Sequence, residues 1–121
     1  MQTGVGLTGK FWCHEHFGAK ARPDIIAFGK KMQVCGILVG EKIDDIKTNV
    51  FKIPSRINST WGGNLVDMVR ATKILEIIAE DKLLENVTES GNHLQQELLK
   101  IAEKQPIVNN VRGKGLLVAF D

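Results

Sequence analysis

The chain has 121 residues, 43% hydrophobic and 25% charged, with 12 glycines and 3 prolines. That is the length of one average domain and an ordinary globular composition, which excludes a disordered tail, a collagen-like fibre and a low-complexity linker. Sixteen Lys and Arg against 14 Asp and Glu leave a net charge of +2, too mild and too evenly spread to predict a nucleic-acid partner.

Taken from the N-terminus, the first twenty-odd residues are irregular. Gly4, Gly6, Gly9 and Gly18 frame an aromatic cluster of Phe11, Trp12 and Phe17, and glycines this close together break helices and allow tight turns. Arg22-Pro23-Asp24 is a turn signal before the apolar run Ile25–Phe28, which predicts a short buried strand ended by Gly29. Val34 to Val39, closed by Gly40, predicts a second. Residues 41–50 are polar, helical or looped, and Val50 to Ile53 reads as a third short strand stopped by Pro54.

From Asn64 the apolar period changes from strand to helix. Leu65, Met68, Val69, Thr72, Leu75 and Ile78 fall on one stripe, with Asn64 as the N-cap and Asp67 in the first turn, where negative charge suits the helix dipole. Asp81 is read as the cap of a second helix carrying Leu84, Val87, Gly91, Leu94, Leu98 and Ile101, stopped by Pro106. The end, Val111 to Asp121, reads as a turn leading into an apolar strand. The whole is a mixed α/β chain without an internal repeat.

No apolar run approaches the roughly 18–20 residues of a membrane span, and Met1-Gln2-Thr3-Gly4 has no signal-peptide character. Cys13 and Cys35, with no CxxC spacing, suit a reducing, cytoplasmic setting better than a secreted disulfide scaffold. Cys13-His14-x-His16 invites a metal, but zinc needs three or four ligands and no second Cys/His pair follows at finger spacing, so no metal is expected.

Two segments have the composition for chemistry. Lys30 follows the predicted strand and Gly29, at a strand end of the kind that faces ligand crevices in α/β sheets. A lysine there can form a Schiff base with an aldehyde, although Lys30-Lys31 also reads as a solvated turn pair. Asn58-Ser59-Thr60-Trp61-Gly62-Gly63-Asn64 sets two hydroxyls and two glycines before a helix N-terminus, where backbone N–H groups and the dipole favour a phosphate. The same string also reads as a plain helix cap. It lacks the GxxxxGK[ST] pattern, so a nucleoside triphosphate fits poorly.

Together, Gln2-Thr3-Gly4-x-Gly6-x-Thr8-Gly9, Pro23-Asp24-Ile25-Ile26-x-x-Gly29-Lys30 and Ser59-Thr60-Trp61-Gly62-Gly63-Asn64 resemble the class III aminotransferases of fold type I, in order and in spacing. Val111-Arg112-Gly113-x-Gly115-Leu116 also fits. Phe28 to Gly36 and Pro54 to Leu65 are most similar to the lysine ε-aminotransferase branch; Leu65 stands where many class III relatives have proline.

The resemblance implies a pyridoxal 5'-phosphate enzyme. Lys30 would hold the cofactor covalently and shuttle a proton to and from it; Ser59 and Thr60 would hold its phosphate, Thr60 reaching into the partner subunit of a homodimer. Gln2 would lie near the cofactor's phenolic oxygen and, with Asn58, line the substrate pocket for small amino and oxo acids. It implies transfer of the lysine ε-amino group to 2-oxoglutarate; another ω-amine donor and a non-catalytic α/β remnant remain the alternatives.

It further implies part of a large domain, with short, mainly parallel strands and two helices in residues 1–105, and the start of a C-terminal small domain in 106–121. The family motif sets Asp-Glu and an aliphatic residue before Gln-Thr-Gly, whereas only Met1 precedes Gln2 here. The chain is therefore expected to be an internal fragment, inactive by itself.

Overall fold

The computed structural model describes residues 3–121; Met1 and Gln2, and with them the expectation for Gln2, lie outside the described residues. The helices form where the apolar period changes. Helix α1 spans Leu65–Glu80 and helix α2 spans Leu83–Lys104. Asn64 caps α1: its side-chain oxygen accepts a hydrogen bond from the Val66 N–H at 3.0 Å, satisfying one of the donors that every helix start leaves open.

Asp81 does not cap the second helix. Its N–H donates to the Ile77 and Ala79 carbonyls, which closes α1, and Lys82 then takes a left-handed conformation with φ 51°. A reversal this abrupt is made by the backbone of one residue, so α2 starts without a side-chain cap. It ends at Lys104, just short of Pro106.

The strands correct the expectation of mainly parallel pairing. Strand β1 (Ile25–Phe28) pairs antiparallel with β2 (Gly36–Val39), Ile25 opposite Val39 and Phe28 opposite Gly36. Only residues 29–35 connect them, and a parallel crossover needs a dozen or more residues. Nor are the strands buried: Ile25, Ile37 and Leu38 are exposed, and only Ile26 and Phe28 of β1 are half-covered. Val50 to Ile53 is no strand either. Val50–Lys52 is a 3-10 turn, because the buried Asn49 donates to the Ile43 and Ile46 carbonyls and accepts from the Phe51 N–H. The C-terminal segment is a hairpin of β3 (Arg112–Lys114) and β4 (Leu117–Ala119) rather than one strand.

The packed centre is made largely of backbone. Gly91, buried on α2, lies so close to Gly115 that a Cβ there would overlap the Gly115 backbone. Gly115 in turn lies against the backbone of Leu7 and Thr8, and the Leu116 N–H donates to the Leu7 carbonyl at 3.0 Å. Thr8 is 2% exposed, and Val5, three positions earlier, is also buried. On α1 the packed face is Ala71, Ile74 and Ile78; of the predicted stripe Ile78 lies on it, while Leu65 is 80% and Val69 72% exposed. On α2 the predicted stripe holds at Leu84, Val87, Gly91 and Leu98, while Leu94 and Ile101 face solvent.

Gly91→Ala should therefore destabilise the chain by about 1–3 kcal/mol through overpacking. Ser90→Ala, next to it on the exposed side, should stay within about 0.5 kcal/mol. Chemical denaturation of both variants checks this; equal midpoints would contradict the close approach.

At the hairpin base, the Asn110 amide donates to Asp121 at 2.7 Å and Arg112 pairs with its other oxygen at 2.8 Å. These contacts, the Asn110 hydrogen bond first, hold the Asp121 carboxyl below its ordinary value of 3.8. A depressed carboxylate contributes stability above its unfolded pKa and loses it as pH falls through the folded one. The hairpin should therefore loosen only on acidification below about pH 4, and Asp121→Asn should remove that acid-side dependence. NMR shifts of residues 109–121 against pH report both.

Candidate functional site

Lys30 stands where the sequence places it, directly after β1 and the buried Gly29, and its side chain is exposed. It opens the 3-10 turn Lys30–Met32 with φ 50°, a left-handed conformation that non-glycine residues seldom adopt. Its carbonyl accepts from the Gln33 N–H at 2.8 Å and from the Gln33 side-chain amide at 3.3 Å. Lys31, its neighbour, loses hydration, and this desolvation lowers its ammonium pKa from the usual lysine value.

Asn58, Ser59 and Thr60 are exposed on the turn before α1. The Gly62 N–H donates to the Ser59 carbonyl at 3.2 Å and the Asn64 N–H to the Trp61 carbonyl at 3.4 Å. Gly63 turns the chain at φ 74° into the Asn64 cap. The turn thus carries Ser59 and Thr60 in the segment that leads into a helix start, whose dipole and first-turn N–H groups attract anions. Trp61, 77% exposed, stands on the same turn. No hydrogen bond among the described residues joins Ser59 or Thr60 to Lys30.

A connection that sequence reasoning missed runs through α1. Arg70 donates to the Gln33 side-chain oxygen at 3.4 Å and to Asp67 at 3.1 Å. The Asp67/Arg70 spacing was the only sign of it, since Gln33 lies 37 residues from Arg70.

Of the Cys-His-x-His cluster, His16 ties to the N-terminal loop. His16 Nε2 donates to the Thr8 carbonyl at 3.0 Å and lies 3.2 Å from the Thr8 hydroxyl. Among the described residues no three His, Cys, Asp or Glu side chains gather as a metal site. A cleft of about 760 Å³ lies between the N-terminal loop, α2 and the β3–β4 turn, lined by Lys10, His16, Glu85, Glu89 and Lys114 among others. Among the described residues, Lys30, Asn58, Ser59 and Thr60 do not border it. No helix among the described residues is long and apolar enough to cross a membrane.

Comparison with known proteins places this architecture. The family profile described as Aminotransferase class-III matches residues 1–121, and the chain belongs to that family of aminotransferases. Among its relatives, the L-lysine-epsilon aminotransferase of Amycolatopsis lactamdurans is 50% identical over 122 residues, which cover all of this chain and 27% of that protein. The structure of lysine aminotransferase from Mycobacterium tuberculosis in the internal aldimine form matches with a TM-score of 0.89 at 49% identity, over 98% of this chain and 27% of that one. An S-selective transaminase from Arthrobacter sp. matches at 31% identity with a TM-score of 0.84, over 98% of this chain and 26% of that one. The chain spans about a quarter of the length of the curated relatives it matches.

Proposed function

We propose that this segment carries the reactive lysine and the phosphate-gripping turn of an aminotransferase that moves the ε-amino group of L-lysine to 2-oxoglutarate, giving glutamate and a semialdehyde. The observation that carries the reading is the 50% identity, along the whole chain, to an L-lysine-epsilon aminotransferase. The exposed Lys30 amine and the paired hydroxyls before α1 fall inside that match.

These residues fit two ends of pyridoxal 5'-phosphate. An exposed primary amine at a strand end suits its aldehyde, and the Ser59 and Thr60 hydroxyls at a helix start suit its phosphate dianion. When bound, the cofactor supplies the electron sink that a protein side chain lacks. Lys30 would hold it through Nζ, and the same amine would move the proton at the reacting substrate carbon. Ser59 and Thr60 donate hydrogen bonds that fix the phosphate. As the resemblance to class III aminotransferases implies, we assign Thr60 to the phosphate held in the partner subunit of a homodimer. Gln2 and Asn58 line the pocket for the amino and oxo acids, and residues 106–121 begin a second, smaller domain.

The test is turnover by the full-length enzyme that contains this segment. Lysine with 2-oxoglutarate should be the preferred pair, and Lys30→Ala should cut kcat by orders of magnitude. A higher kcat/KM for 4-aminobutyrate or another ω-amine would replace lysine as the donor, and full turnover by Lys30→Ala would overturn the assignment.

Charge-assisted hydrogen bonds contribute about 1.5–3 kcal/mol, so Thr60→Ala should weaken cofactor affinity about 10- to 150-fold. In mixed dimers, Thr60→Ala and Lys30→Ala subunits should together restore one intact site. Mixed dimers as inactive as either parent would contradict the cross-subunit grip.

A further inference from the structure

The lysine assigned to the cofactor sits on a short turn with two residues in the left-handed region. Lys30 at φ 50° and Gln33 at φ 59° are both non-glycine residues in the left-handed region, three positions apart. Such conformations persist where the surroundings over-determine them. Backbone bonds close the turn, from the Gln33 N–H to the Lys30 carbonyl at 2.8 Å and from the Met32 N–H to the Gly29 carbonyl at 3.2 Å, and one side chain joins it to helix α1. The Gln33 amide nitrogen donates to the Lys30 carbonyl at 3.3 Å, and its amide oxygen accepts from Arg70 at 3.4 Å. Each partner fixes the amide in the same sense, because a carbonyl can only accept and a guanidinium can only donate. Arg70 is held in turn by Asp67 at 3.1 Å, in the first turn of the helix that Asn64 caps and the Ser59–Thr60 turn leads into.

We propose that Gln33 and Arg70 are positioning residues that tie helix α1 to the backbone of Lys30 and so set where its amine stands. This rests on the reading that Lys30 carries the cofactor. Neither residue touches the reacting atoms. They act through the Lys30 carbonyl, and α1 thereby links the phosphate-gripping turn to the loop of the reactive amine. A displacement of the amine by about 1 Å is enough to cost up to about 100-fold in rate.

The experiment uses the full-length holoenzyme with pyridoxal phosphate and follows the visible absorbance band of cofactor joined to Lys30 as a function of pH, together with kcat and KM. Gln33→Met keeps the length of the side chain and removes both hydrogen bonds. Gln33→Glu keeps the acceptor for Arg70 and removes the donor to Lys30. Arg70→Met is the decisive variant, since Arg70 is exposed, compatible with any helix, and distant in sequence from Lys30.

Each variant should lower kcat about three- to tenfold with KM changed less than twofold, and move the pH midpoint of the band by about half to one unit. Gln33→Met combined with Arg70→Met should do no more than either alone, because both cut one relay. Lys73→Met, whose side chain pairs with Glu76 instead, should leave the band at its wild-type midpoint. A wild-type midpoint and kcat in Arg70→Met, or shifts that add in the double variant, would overturn the relay while leaving Lys30 its role. Absence of the band from the unsubstituted enzyme would overturn the functional reading and the relay with it.

Discussion

The structure depends on one approach of backbone to backbone. Helix α2 can lie against the β3–β4 turn only because Gly91 lacks a Cβ, and Gly115 meets Leu7 and Thr8 because it lacks one too. That contact fixes the glycine-rich N-terminal loop, the second helix and the C-terminal hairpin as one packed unit. Helix α1 is joined to it by the left-handed turn at Lys82 and packs through Ala71. From α1 the two loops of the proposed site are reached: the Ser59–Thr60 turn leads into its N-terminus, and Arg70 extends to the loop of Lys30. A side-chain core contributes little beside this, since Val5 and Ala71 are the buried hydrophobic residues among those described.

The same economy leaves apolar faces open. The β1–β2 hairpin presents Ile25, Ile37 and Leu38 to solvent, and the outer face of α1 presents Leu65, Val66 and Val69. A two-stranded hairpin with open edges is marginal in water when nothing covers it. Yet the fold matches its 49% identical relative with a TM-score of 0.89 over 98% of the chain. On the proposed reading, the rest of the relatives' length supplies the cover, and the functional loops gain their precision from neighbours as well as from this segment.

Much of this was legible in the residues, and the failures have physical causes. Asn64 as a helix cap, the change of period there, and the positions of Lys30 and of Ser59–Thr60 follow from local rules and stand in the structure. Strand direction does not follow from an apolar run, because a run of four reads alike in either pairing; the seven-residue connection between Phe28 and Gly36 was the better guide. Val50–Lys52 was read as a strand from its side chains, but Asn49 binds three backbone groups and settles it as a turn. The stripe on α1, mostly exposed, shows that periodicity finds a helix without saying which face is covered. The Gln33–Arg70 link was invisible because it joins exposed polar residues brought together only by the fold.

Everything proposed for function rests on one amine. Borohydride reduction of the full-length holoenzyme with pyridoxal phosphate, followed by peptide mapping, fixes the cofactor to the residue that holds it. The account predicts a single reduced adduct on Lys30. An adduct on the desolvated neighbour Lys31, or on a lysine outside this loop, would contradict it.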